Sequence, residues 1–177
     1  MRSASSRTLA TVTRFANVLG FAALALLLVQ LLAPARGRLS GMPFRMTLLL
    51  RLHGPFGYAA LAFALAHLLV LVLDSPDRLE LLNLAEAPTR ARDAVGALIA
   101  LGVLATVAAR RPPGRQTRAW RTLHVLLSAA AVSLALGHVA GVGRYLGLDA
   151  LSGAALSLVP LAALAAVYLR PERGECR

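Results

Sequence analysis

Uncharged, strongly apolar stretches recur along the chain, each followed by a short polar or basic segment. No Asp, Glu, Lys or Arg falls within 15–33, 52–73, 94–109, 122–142 or 150–169. A helix rises ~1.5 Å per residue, so about twenty such residues cross the ~30 Å hydrocarbon layer of a bilayer. The pattern therefore predicts an all-α, polytopic membrane helix bundle of about five transmembrane helices. Pro112 and Pro113 end one apolar run, and Pro160 predicts a kink within the fifth. The expected organisation is a basic N-terminal segment over 1–14, a membrane domain over 15–169 and a cytoplasmic tail over 170–177.

Composition agrees with a lipid solvent. Of the 177 residues, 58% are hydrophobic and 15% charged, with a mean hydropathy of +0.67. Soluble domains carry about 25% charged residues. The formal net charge is +11 and every basic side chain is arginine. These arginines cluster between apolar runs and stacking aromatics are scarce, so nucleic acid is not the expected partner. The single cysteine, Cys176, makes no internal disulfide and reads as an ordinary tail thiol.

Arginine placement predicts orientation. Segment 34–51 holds four Arg and no acid, and 110–121 holds five Arg and no acid. Segment 74–93 sets Asp74, Asp77, Glu80, Glu86 and Asp93 against three Arg. By the positive-inside rule the first two face the cytoplasm, as does the C-terminus. Five spans then place the N-terminus outside despite Arg2, Arg7 and Arg14. An interfacial N-terminal helix, or a first segment that does not span, would resolve that conflict. The first segment also has features of a signal peptide, with Ala33-Pro34-Ala35 as a cleavage-like site, although its apolar run is long for one. Arginine-only, Ala/Leu-rich usage suggests a bacterial cytoplasmic membrane.

The candidate chemistry lies in four histidines: His53 and His67 on the second span, and His124 and His138 on the fourth. Fourteen residues separate the members of each pair. At ~100° and ~1.5 Å per residue, both members lie on nearly one face, ~21 Å apart along the axis. Alternating spans make the two helices parallel. His53 then pairs with His124 near the cytoplasmic side, and His67 with His138 farther out. Two parallel helices arranged so would hold two stacked b-type haems, each iron ligated by one imidazole from each helix. A faint repeat supports the match: Leu52-His53 against Leu123-His124, and Ala64-Leu65-Ala66-His67 against Ala135-Leu136-Gly137-His138. Gly54, Gly57, Gly137 and Gly141 would let a macrocycle approach the backbone. Arg51 and Arg121 are candidate propionate partners of the inner haem, Arg144 of the outer, unless they serve only as positive-inside anchors. Trp120 reads as an interfacial anchor. No residue reads as a general acid, base or nucleophile.

The paired His-x13-His helices, the LHG and AH of the second span and the WRTLH opening of the fourth resemble the ferric reductase-like transmembrane domain. That family includes ferric reductases, NADPH oxidases and the haem subunit of the periplasmic methionine sulfoxide reductase system. The resemblance covers about residues 15–169 and implies haem ligation by His53, His67, His124 and His138. It implies transmembrane electron transfer from a cytoplasmic-side donor to an external acceptor. Many members continue into a flavin and nicotinamide domain, and this sequence holds no Gly-rich dinucleotide fingerprint. A separate donor protein or a quinol is therefore expected. The alternatives are a cytochrome b subunit of a larger quinol-linked complex, and a haem-free transporter in which the histidines carry protons or metal.

Overall fold

The computed structural model describes residues 2–36, 43–110 and 117–142, with side chains over 11–31, 51–110 and 117–142. Among them stand four helices: α1 (Arg2–Arg36), α2 (Pro43–Asp74), α3 (Thr89–Ala109) and α4 (Arg118–Val142). A 3-10 helix, Pro76–Leu82, follows α2. Ala and Leu dominate all four α-helices, which suits both helix propensity and lipid, where each backbone group needs an internal partner. Each contains a stretch long and apolar enough to cross a membrane: 11–31, 51–74, 89–109 and 118–142. The chain is a multi-pass membrane protein, and the bilayer is its surrounding solvent. The expected span 150–169, and with it Pro160, lies outside the described residues.

Helix ends depart from the uncharged stretches. The basic segment 2–14 is continuous with α1, and α2 takes in Arg45 and Arg51. Charge marks where hydrocarbon ends, and a helix continues past that point into the headgroup layer. Prolines and caps set the actual ends. Pro43 opens α2, where a missing N–H costs nothing. Pro88 precedes α3, and its carbonyl accepts the Ala91 and Arg92 N–H groups at 2.8 and 3.1 Å. Thr117 caps α4 by accepting the Trp120 N–H on its side-chain oxygen at 3.2 Å. The polar segment 74–93 is in large part ordered: Pro76 starts the 3-10 helix, and Arg92 ties its far end down by donating to the Ala87 and Ala85 carbonyls.

Packing divides the bundle into two antiparallel hairpins, α1 with α2 and α3 with α4. They meet along α1–α4 and α2–α3. Within the described residues, no Cα of α2 comes within 8 Å of one of α4. The shared core sets three alanines among larger aliphatic side chains: Leu27, Ala60, Ala100, Leu101, Ala131, Val132 and Leu136. Alanines let helices approach closely where lipid supplies no hydrophobic drive. The outward face is large and apolar, as at Leu69, Leu73, Ile99 and Leu126, which suits contact with acyl chains. No polar or charged residue among those described is fully buried.

Candidate functional site between the hairpins

The gap between α2 and α4 is where the histidines stand. At one level the His53 and His124 rings face each other with centroids 5.8 Å apart and planes tilted by 54°. At the other level His67 and His138 both line one cavity of about 240 Å³. The pairs assemble as 53 with 124 and 67 with 138, so α2 and α4 run parallel. Ala60 and Ala131, halfway between the members of each pair, are buried in the core that separates the two levels.

His67 and His138 are held by backbone. His67 Nδ1 donates to the Ala16 carbonyl of α1 at 2.7 Å. His138 Nδ1 donates to the Arg90 carbonyl of α3 at 2.8 Å. A carbonyl only accepts, so each bond places the proton on Nδ1 and leaves the Nε2 lone pair free. Ligating histidines are commonly fixed in this way, through the ring nitrogen the metal does not use. The two hairpins repeat the device: the first helix of each supplies the carbonyl, and the second supplies the histidine.

Glycines make this packing possible. A Cβ on Gly20 would lie 3.1 Å from His67 Nδ1, and one on Gly141 would lie 3.0 Å from Arg90 Cβ. Gly57 gives room to Gln30, whose side-chain amide donates to the His53 carbonyl. Gly57 and Gly141 thus admit protein, where the sequence suggested space for a macrocycle. Gly54 does face open space. Pro55, two residues after His53, lacks an N–H for the α2 ladder, so this turn depends more on outside support.

The cavity draws on every described helix and is almost wholly apolar. Its polar groups are Asn17, His67, His138 and Arg78 of the 3-10 helix. No cluster of three or more His, Cys, Asp or Glu occurs among the described residues. Two imidazoles alone leave a bare zinc-type ion half coordinated, whereas a macrocycle that brings four nitrogens of its own needs only two axial ligands. The donor set and the apolar cavity therefore fit haem.

Arg51 and Arg121 are exposed at the His53/His124 end, and neither lines the cavity. Arg144 lies outside the described residues. Trp120 packs against His124, with centroids 5.4 Å apart, so its ring belongs to the inner site as well as to a helix end. The sequence reading missed Ala16, Gly20, Gln30, Arg78 and Arg90. Gln30 and Asn17 carried a usable signal, being polar residues inside an uncharged membrane stretch.

A family model described as ferric reductase like transmembrane component matches residues 19–135, more than half of the chain; the match takes in His53, His67 and His124 and ends three residues before His138. No curated protein and no solved structure matches it.

Proposed function

The chain belongs to the ferric reductase like transmembrane component family, and from that membership we propose that it carries electrons across a bilayer as a dihaem b-type cytochrome. The supporting observation is that its histidines meet in two pairs, at two depths, between helices that do not otherwise approach. His53 and His124 would hold the inner haem, and His67 and His138 the outer. Bound haem supplies a one-electron iron couple, and two axial imidazoles favour transfer over oxygen binding. The protein residues do the rest. Ala16 and Arg90 fix the outer rings through their carbonyls, the apolar helices exclude water, and Ala60 and Ala131 set the spacing between levels.

Arginine placement supports a direction, with a donor meeting the face that carries 110–121 and an acceptor reached beyond the 3-10 helix. The donor is a separate flavoprotein or a quinol, and the setting a bacterial cytoplasmic membrane with the C-terminus inside. Arg51 and Arg121, exposed at the His53/His124 end, would be available to pair with propionates of a haem held there. The metal-carrying form of the haem-free transporter reading is disfavoured by the lack of a third metal ligand at either level among the described residues.

A reduced-minus-oxidised spectrum of the detergent-purified chain, with haem quantified, tests the proposal. The expected result is two low-spin b haems per chain. His67→Ala and His138→Ala should each remove one and the same haem; His53→Ala and His124→Ala should each remove the other. A colourless protein after expression with ample haem sinks the reading, and losses pairing His53 with His67 sink the geometry.

A further inference from the structure

Among the described residues, Arg78 is the one charged side chain lining the cavity at His67 and His138, whose walls are otherwise nearly all carbon. Its present contacts are weak. One guanidinium nitrogen lies 3.5 Å from Asp74 and another 3.5 Å from the Leu71 carbonyl, both at the outer limit of hydrogen bonding. A guanidinium offers five donors in a planar fork suited to a carboxylate. Its position is not left to a floppy loop. Pro76 starts the 3-10 helix, the Arg78 N–H bonds the Ser75 carbonyl at 3.0 Å, and Arg92 clamps the segment beyond. The cavity thus asks for an occupant with a broad apolar body and an anionic edge, the edge directed at the 3-10 helix.

We propose that Arg78 pairs with a carboxylate of the cofactor held at His67 and His138, and so orients it with its acidic edge outward. This rests on the haem reading above and takes it further: it assigns the outer carboxylate partner to the polar segment between α2 and α3. Asp74, only 7% exposed at its side chain, is the counter-ion that keeps Arg78 aimed inward before the cofactor arrives. The same chemistry would suit a lipid phosphate at the cavity mouth, and the experiment separates the two sources.

The full-length protein, wild type and Arg78→Gln, is reconstituted with haem and with haem dimethyl ester, and redox titrations are followed spectroscopically. A positive charge beside the cofactor favours the reduced state, so Arg78→Gln should move the midpoint of one haem to more negative potential and leave the other in place. Arg78→Lys should restore most of that shift. Without its partner the carboxylate should take up a proton more readily, so in Arg78→Gln the midpoint of that haem should also become more dependent on pH. With the dimethyl ester, which has no carboxylate to pair, the added pH dependence should vanish while the shift from the lost charge remains. An Arg78→Gln midpoint with the same pH dependence for ester and free acid overturns the proposal and assigns Arg78 to a lipid phosphate or to a general field. Unchanged titrations in a protein that carries both haems also overturn it, with the haem reading intact. A wild-type protein that binds no haem removes the underlying reading instead.

Discussion

At Gly20 a single added carbon would lie 3.1 Å from His67 Nδ1 and 3.2 Å from the neighbouring ring carbon. Alanine there requires the ring to give by a few tenths of an ångström, against the 2.7 Å bond that holds it to Ala16. A leucine adds its bulk against the ring and into the cavity that Gly20 lines. On the proposed ligation, Gly20→Leu is therefore expected to abolish the haem at His67 and His138 while the other stays, and Gly20→Ala to weaken its retention with a shifted low-spin spectrum. Haem quantification and electron paramagnetic resonance of the two variants check this. A Gly20→Leu protein with both signals unaltered would show that the α1 carbonyl does not set the His67 ring. At this scale the sequence disclosed the histidines, because their spacing on two helices is periodic. It hid Ala16 and Gly20, because a backbone carbonyl has no sequence signature and a glycine amid alanines looks like filler.

The elements were legible as stretches and illegible as neighbours. Uncharged runs located α1 to α4, since lipid excludes charge from the middle of each. Their ends lay elsewhere because Pro43, Pro88 and Thr117 govern hydrogen bonding, which charge does not. The pairing of α1 with α2 was open at the sequence level; Gln30 bonds across it at the His53 end and His67 at the other. Polar contacts between membrane helices contribute about 0.6–2 kcal/mol, and this one supports the turn that carries His53 next to Pro55. Gln30→Leu should lower thermal stability by about 1 kcal/mol and broaden the spectrum of the inner haem, with the outer unaffected. A denaturation series in detergent, followed in the Soret band, reads both. An effect confined to the outer haem would contradict the assignment of levels.

For the whole molecule, α1 and α3 run one way and α2 and α4 the other, as alternating spans require. On the proposed orientation the segment around Leu84 faces outward and the start of α4 inward. With Cys176→Ser as background, Leu84→Cys should react with an impermeant maleimide in intact cells, and Arg118→Cys only after lysis. The reverse pattern would invert the direction of electron flow proposed above. The bundle's class and its two-level layout could be read from the sequence. Its division into hairpins could not, because both faces of every helix are apolar and hydropathy alone does not choose a neighbour.

That division sets an order of manufacture. The first hairpin leaves the ribosome and can close on itself before α4 exists, with Ala16 and Gln30 already gripping α2. On the proposed ligation, neither haem can then be held by more than one protein ligand, so capture of either must wait for the second hairpin. With α2 and α4 kept apart, insertion of the cofactors doubles as the fastening of the two halves. A chain starved of haem is then a loosely joined pair of hairpins, and membrane proteases have a physical difference by which to tell finished copies from unfinished ones.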